Sequence, residues 1–275
     1  MIFLHSVTAA EMIQAVENGN VNIELSLDLG RTVNKVELKD PVWDVDQLRK
    51  IVEDPESIYF VRDNQIFKAA ISEQNFYKLF PTGHDSAPAL LINGVLMHRV
   101  KDVDPIQDAG MKAALCARKG IDMLEICTGL GYSTIACLER GVRSIVSIEK
   151  DKHVTELSRL NPWSKELHSD KRVTLVHGDA SVKIGECDDK SFHSVLHDPP
   201  RFSLGSELYT TEFYSEIHRV LKPKGVLYHY VGSPGGKHRK RDLPKGVMKR
   251  LRDAGFGTVS RNEKTLGVVA RKKSK

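Results

Sequence analysis

The stretch that decides the fold runs from residue 121 to residue 134 and reads IDMLEICTGLGYST. Its first seven residues are largely apolar, which predicts a buried strand, and a helix is predicted to begin at Tyr132. Gly129 and Gly131 lie between the two elements. Glycines in a strand-to-helix turn let a ligand approach the backbone closely. The sequence therefore predicts a ligand site at the end of this strand.

Strands and helices alternate from this motif to the end of the chain. Further strands are predicted at 144–150, 172–178, 192–198 and 226–232, and helices at 154–160, 212–221 and 243–252. Lys222-Pro223-Lys224-Gly225 is expected to end the second of these helices, and 256–259 with 266–270 to form a closing antiparallel pair. This alternation predicts an α/β fold with a doubly wound, mostly parallel, Rossmann-like sheet of seven strands.

The chain changes character near residue 85. Before it, short alternating runs predict hairpins at 22–38 and 57–71, and helical spacing appears at 45–52, so residues 1–85 are interpreted as a small β-rich α+β domain with one or two helices. Residues 86–275 are interpreted as the catalytic domain, preceded by a hairpin at 89–100 with Asn93-Gly94 as its turn. A helix is expected from Pro105 to Lys119. The N-terminal domain has no chemical motif, and RNA binding, protein binding and homodimerisation are its candidate roles.

Composition excludes several classes of protein. The 275 residues are 40% hydrophobic and 28% charged, as in ordinary globular proteins. No apolar run approaches the ~20 residues that span a membrane, and the first residues carry no signal-peptide pattern. Four scattered cysteines without a CxxC pair predict reduced thiols, no metal site and a cytoplasmic location.

Three acidic residues follow or end successive predicted strands. Glu125 lies four residues before Gly129, Glu149 ends the second strand, and Asp179 follows the third. Glu125 would repel a pyrophosphate but suits the ammonium group of S-adenosylmethionine (SAM), and Thr134 replaces the third glycine of a dinucleotide motif. Glu149 suits ribose hydroxyls and Asp179 an adenine amino group. The sequence therefore predicts SAM rather than a nicotinamide cofactor, with Cys127, Tyr132, Lys150 and Ala180 completing the cofactor site.

The fourth strand ends in His197-Asp198-Pro199-Pro200-Arg201-Phe202-Ser203. With Glu125–Gly131, Glu149 and Asp179, this stretch resembles the class I SAM-dependent methyltransferases. This stretch and the segments 128–132, 161–164 and 212–214 of the chain are more closely similar to an uncharacterised archaeal family of predicted methyltransferases. The resemblance covers about residues 85–275 and implies a cofactor, not a substrate.

The DPP segment also resembles the (Asp/Asn)-Pro-Pro-aromatic motif of enzymes that methylate planar amines. The resemblance implies that the side chain of Asp198 and a backbone carbonyl accept hydrogen bonds from the target amine. Pro199 and Pro200 would stiffen the loop. Here Arg201 stands at the aromatic position and Phe202 follows it, so Arg201 is expected to contact a phosphate or a carboxylate, with a surface ion pair as its structural alternative.

A second resemblance is to spermidine-synthase-type aminopropyltransferases, which use decarboxylated SAM. It rests on the hairpin LLINGVLMHR and on Leu208-Tyr209-Thr210-Thr211-Glu212-Phe213-Tyr214. Those enzymes usually carry an acid between the motif glycines, where this chain has Leu130. Aminopropyl transfer to a polyamine, with Asp198 and Glu207 in an acidic channel, is therefore the alternative to methyl transfer. A binding scaffold without activity ranks last, because the cofactor residues are intact.

Basic residues concentrate between 237 and 252, which reads KHRKRDLPKGVMKRLR. Such a run favours polyanions, so RNA is a candidate partner and Lys237 and Arg239 are candidate substrate contacts, together with Pro199, Pro200 and Phe202. The alternative is a solvated helix face. His193 and His197 lie on one strand without a nameable third ligand, so they are interpreted as core or pocket histidines rather than metal ligands.

Overall fold

The computed structural model describes residues 1–39, 43–232 and 242–274. Contacts divide the chain into two compact units, Met1–Pro105 with Glu156–Lys165, and Ile106–Thr155 with Glu166–Lys275. None of the helices in the described part of the chain combines the length and the apolar run that a membrane crossing requires.

The first unit carries short strands in three antiparallel sheets, ordered β1-β4-β5, β2-β3 and β6-β7-β8-β9. Its elements are β1 Ile2–Leu4, α1 Ser6–Glu17, β2 Asn22–Leu25, β3 Asn34–Glu37, α2 Val45–Val52, β4 Tyr59–Arg62, β5 Gln65–Lys68, β6 Ala70–Ser72, β7 Phe76–Phe80, β8 Ala89–Ile92 and β9 Val95–Leu96. The core includes Leu4, Met12 and Leu48, all without exposed surface.

Two features of this unit differ from the sequence prediction or refine it. Helix α1 was not predicted, because its N-cap is His5, whose side chain accepts from the Val7 N–H, and histidine is not among the usual capping residues. The hairpin at Asn93-Gly94 is confirmed, with φ of +48° and +77° at the two turn residues. Strand β8 also pairs with β7, so this hairpin continues the N-terminal sheet. The separate domain at 1–85 stays a prediction.

The second unit is built on one seven-stranded sheet. The remaining elements of the chain are α3 Pro105–Cys116, β10 Asp122–Ile126, α4 Tyr132–Glu139, β11 Ser144–Glu149, α5 Lys152–Leu160, α6 Lys165–Ser169, β12 Val173–His177, α7 Ala180–Lys183, β13 Phe192–His197, α8 Thr211–Val220, β14 Leu221–Tyr230, α9 Leu243–Asp253, β15 Thr258–Asn262 and β16 Gly267–Arg271. Short 3₁₀ turns span Pro162–Ser164, Ile184–Glu186, Phe202–Leu204 and Ser206–Tyr209.

The strand order is β12-β11-β10-β13-β14-β16-β15. Strands β10 to β14 pair in parallel, and β16 runs antiparallel to both of its neighbours. The predicted fold class, a mostly parallel Rossmann-like sheet with a small N-terminal β region, is confirmed. The order reverses between β10 and β13, and ligands of such sheets bind in the crevice where it reverses. The turns after these two strands therefore form the candidate site.

Two predicted boundaries were wrong. Helix α3 ends at Cys116, not Lys119, because the chain then turns and the Gly120 N–H bonds to the Gly141 carbonyl at 2.9 Å. Residues 222–225 do not end helix α8 as a turn but bulge within β14, where the pairing jumps from Phe192–Leu221 to Ser194–Val226. The Lys272 ammonium donates to the His218 and Leu221 carbonyls, at 2.6 and 2.8 Å, and satisfies this helix end.

Candidate active site

The turn after β10 contains three residues in the left-handed region, Cys127 at φ +68°, Gly129 at +58° and Gly131 at +80°. A Cβ on Gly131 would lie 2.6 Å from Cδ2 of Leu167, so this glycine allows α4 and α6 to pack closely. A Cβ on Gly129 would meet nothing within 4 Å. The open side of the turn at Gly129 therefore fits a ligand that lies against the backbone.

Glu125 lies beneath this turn and has no exposed surface. Its carboxylate accepts hydrogen bonds from the hydroxyls of Ser133 at 2.6 Å and Ser147 at 2.5 Å, and from that of Thr134. Burial raises the pKa of Glu125 above its ordinary value, and the three hydroxyls reduce that shift. Because Glu125 has no exposed surface, its predicted contact with a cofactor ammonium stays a prediction.

Glu149 ends β11 and holds the glycine turn from the other side. One carboxylate oxygen accepts the Gly129 N–H and the other accepts the Asp151 N–H, both at 2.9 Å. Each oxygen retains a lone pair for a further donor. Burial raises the pKa of Glu149, and the backbone donors oppose that shift. The carboxylate is thus fixed beside the open turn, where it could accept from hydroxyl groups.

Asp179 follows β12 and caps the short helix α7. Its Oδ1 accepts from the N–H and the hydroxyl of Ser181, at 2.9 and 2.7 Å, which lowers its pKa. Its Oδ2 lies 3.9 Å from the ammonium of Lys150, which is also 3.9 Å from Glu207. Ala180, the first residue of the helix, is buried. Lys150 thereby links the ends of β11 and β12 to the turn at 206–209.

Asp198 follows β13 and forms an ion pair that the sequence did not predict. The Lys112 ammonium, on helix α3, lies 2.7 Å from Oδ2 of Asp198 and 2.8 Å from Oδ2 of Asp108. It also lies 4.5 Å from the ring centroid of Tyr230. Burial alone lowers the pKa of Lys112, but the charges of Asp198 and Asp108 outweigh it and raise the pKa above its ordinary value. Lys112 therefore carries a positive charge beside Asp198, where the sequence predicts the acceptor to bind.

The loop after Asp198 is braced from the core. The Tyr209 hydroxyl donates to the Pro200 carbonyl at 2.7 Å, and Nε2 of His197 donates to the Leu208 carbonyl at 3.0 Å. His197 has no exposed surface and its ring stacks on that of His229 at 4.3 Å. The interpretation of His197 as a core residue is confirmed, whereas the other strand histidine, His193, keeps 28% of its side chain exposed.

The remaining residues that the sequence predicts to contact the acceptor differ in exposure. Pro199 is buried, whereas Arg201 and Phe202 are exposed, and the ring of Phe202 packs edge-on against Tyr209 at 5.3 Å. Arg201 forms no ion pair with any residue in the ranges 1–39, 43–232 and 242–274. An exposed guanidinium beside the loop suits an anionic group.

The predicted donor end, at the ends of β10, β11 and β12, and the predicted acceptor end, at Asp198, meet around Cys127. Burial raises the pKa of its thiol well above the ordinary value, and the charges of four predicted site residues also act on it: Glu149, Asp198, Lys150 and Asp179. The structure therefore brings together the acids that the sequence placed at separate strand ends. Tyr132, the first residue of α4, is buried.

The basic segment is only partly described. Lys237 and Arg239 lie outside the described residues. In helix α9, Lys245 lies 3.4 Å from Asp242 and Lys249 lies 2.8 Å from Asp253, so acids partly neutralise this face. RNA binding by 237–252 stays a prediction.

All four cysteines are free thiols. The described residues contain no cluster of three or more His, Cys, Asp or Glu side chains suited to a metal ion.

Lys112 and Asp108 are the functional candidates that sequence reasoning missed. They lie four residues apart, and only small or apolar residues, Ala109-Gly110-Met111, separate them, which indicates a charged pair on a buried helix face. That signal could have identified the pair. Its partner Asp198 could not be identified in this way, because it lies 86 positions away.

Comparison with known proteins supports the fold. No family model matches the chain. A crystal structure of spermidine synthase from Thermotoga maritima superposes with a TM-score of 0.58 and 18% identity, over 77% of this chain and 76% of that one. At that identity the likeness shows the fold alone.

Two sequence relatives go further. A polyamine aminopropyltransferase of Thermoplasma volcanium is 30% identical over 129 residues, 46% of this chain and 47% of that protein, so the match spans about half of each. The uncharacterized protein MJ1233 of Methanocaldococcus jannaschii is 44% identical over 282 aligned positions, which cover 98% of this chain and 96% of that protein. The chain is thus related to SAM-type transferases, and it belongs to the family of this archaeal protein.

Proposed function

We propose that this chain is a methyltransferase that binds SAM at the ends of β10, β11 and β12 and its acceptor at the end of β13. The observation that carries the proposal is Leu130. It lies between Gly129 and Gly131, has no exposed surface, and stands where spermidine-synthase-type enzymes usually carry an acid. A turn without that acid does not repel the carboxylate of an intact methionine group, and the N-terminus of helix α4 favours it.

The residues at the strand ends match the parts of SAM. Gly129 leaves room along the backbone, Glu149 can accept from ribose hydroxyls, and Asp179 can accept from the adenine amino group. SAM supplies an electrophilic methyl carbon: the acceptor lone pair forms the new bond, the carbon–sulfur electron pair stays on sulfur, and the acceptor loses a proton. Asp198 would hold the N–H or O–H of the acceptor, which aligns its lone pair.

Aminopropyl transfer is the second candidate, and the match to the Thermoplasma volcanium enzyme favours it. It would use decarboxylated SAM and a polyamine, with Asp198 and Glu207 near the substrate. The two candidates differ in the carboxylate of the donor and in the charge of the acceptor. RNA is one candidate acceptor for methyl transfer.

Calorimetric titration with SAM, S-adenosylhomocysteine and decarboxylated SAM tests the proposal. We expect the two carboxylate-bearing ligands to bind at least about tenfold more tightly than the decarboxylated one. Asp179→Ala should weaken all three, and Asp188→Ala, at an exposed acid away from the strand ends, should not. Preference for decarboxylated SAM would move the assignment to aminopropyl transfer, and binding of none would refute both candidates.

A further inference from the structure

The ion cluster of Asp108, Lys112 and Asp198 is unusually well enclosed for charged side chains. The exposed fractions are 4% for Asp108, 8% for Lys112 and 23% for Asp198. Two carboxylates bind the ammonium, and the ring of Tyr230 lies against it. A desolvated cation with two short ion pairs does not rearrange easily, since removing one partner leaves a buried charge uncompensated. Lys112 is therefore a fixed positive charge.

This fixed charge lies in the candidate acceptor site. Asp198 directly follows β13, where the strand order reverses, and its backbone N–H bonds to the Ile126 carbonyl at 3.2 Å. The carboxylate is thus anchored next to the end of β10, which leads into the glycine turn. Any acceptor that donates to Asp198 is placed within reach of the Lys112 ammonium.

Only one oxygen of Asp198 is used by the lysine. Within the described part of the chain, Oδ2 bonds to Lys112, and no hydrogen bond to Oδ1 is found. A neutral N–H or O–H group can donate to Oδ1 without further charge compensation. A protonated alkylamine would instead place a second positive charge within a few ångströms of Lys112, and this repulsion opposes the attraction of the two carboxylates, Asp108 and Asp198.

We propose that Lys112 sets the charge class of the acceptor, so that the site takes an uncharged N–H or O–H nucleophile in preference to protonated alkylamines. This inference rests on the proposed function, in which the acceptor binds at Asp198. The exposed Arg201 adds a further positive charge to the same loop and agrees with it.

The test is calorimetric titration of the full chain, saturated with S-adenosylhomocysteine, with putrescine and with spermidine. Wild type and Lys112→Arg should show no binding at millimolar amine. Lys112→Met removes the charge but keeps much of the volume, and the carboxylates of Asp108 and Asp198 can then take an ammonium group. We expect it to bind the amines at least about tenfold more tightly than wild type. Lys119→Met, at an exposed lysine beyond the same helix, is the matched control.

Binding of putrescine to wild type as tightly as to Lys112→Met would overturn the inference. If Lys112→Met does not fold, wild type and Lys112→Arg decide alone, since submillimolar amine binding by either contradicts the inference. Failure of the proposed function is seen separately, as wild type that does not bind S-adenosylhomocysteine before any amine is added. In that case the amines are titrated into the ligand-free protein and the result is interpreted in the same way.

Discussion

The donor and acceptor ends of the site satisfy their carboxylates in different ways. At the donor end, Asp179 bonds to Ser181, two positions away, and Glu149 bonds to backbone N–H groups of its own turn and of the neighbouring glycine turn. At the acceptor end, Asp198 pairs with Lys112, 86 positions away. Turn geometry thus shapes the donor end, and tertiary packing of helix α3 shapes the acceptor end.

The difference has a chemical consequence. Glu149 is held by neutral backbone donors, so it remains a negative acceptor for the hydroxyl groups of a ligand. Asp198 is paired with a fixed ammonium that it shares with Asp108, so it suits a group that brings no further positive charge. The two carboxylates of one site therefore differ in their charge environment: Glu149 keeps its negative charge available to a ligand, and Asp198 shares its charge with a lysine.

The largest predicted effect is at the acceptor end, where acid pH should lower the free energy of unfolding. Burial lowers the pKa of His197 to about 4 and that of His229 well below its ordinary value. The folded state thus binds fewer protons than the unfolded state, so stability is complete above about pH 6.5 and is lost as pH falls towards 4. His197 alone should lower the free energy of unfolding by about 1.4 kcal/mol per pH unit, or about 3 kcal/mol in all. Urea unfolding at several pH values measures this.

The variant His197→Gln should flatten the pH dependence by that amount, and His177→Gln, which changes an exposed histidine, is the matched control. An unchanged slope in His197→Gln would show that the buried histidine pair does not govern the stability of the strand that carries Asp198.

Alanine substitutions at Gly131 and Gly129 test the donor end, and the expected losses of unfolding free energy are smaller. Gly131→Ala adds a Cβ in the left-handed region and 2.6 Å from the buried Leu167, so it should cost about 2–3 kcal/mol of unfolding free energy. Gly129→Ala adds a Cβ in open space and should cost only about 1 kcal/mol. Because that space is where the ligand is expected, Gly129→Ala should weaken S-adenosylhomocysteine binding more than it weakens the fold. Equal stability losses would remove the distinction between the two glycines.

Much of the fold could be predicted from sequence because the second unit repeats a local pattern. Each parallel strand is an apolar run followed by a helix, and the seven-stranded sheet follows from that alternation. The errors fell where tertiary contacts override local signals. Residues 222–225 look like a helix end, but pairing with β13 and the Lys272 contacts make them part of a strand.

The same contrast applies to the site. Glu125, Glu149 and Asp179 could be identified because parallel strand ends meet at one edge. Sequence could not show that Glu125 is enclosed by Ser133, Thr134 and Ser147, which places it under the turn rather than on its surface. Lys112 lies outside every motif, so its role depends on packing that one sequence does not reveal.

The most direct test of this division of roles is a matched pair of conservative variants, Glu149→Gln and Asp198→Asn, titrated with S-adenosylhomocysteine. Each replaces one carboxylate oxygen with an amide nitrogen. We predict a dissociation constant raised roughly tenfold or more for Glu149→Gln, since a charge-assisted hydrogen bond contributes about 1.5–3 kcal/mol. We predict a change of less than about twofold for Asp198→Asn. Equal weakening by both variants, or weakening by Asp198→Asn alone, would contradict the separation of a donor end from an acceptor end.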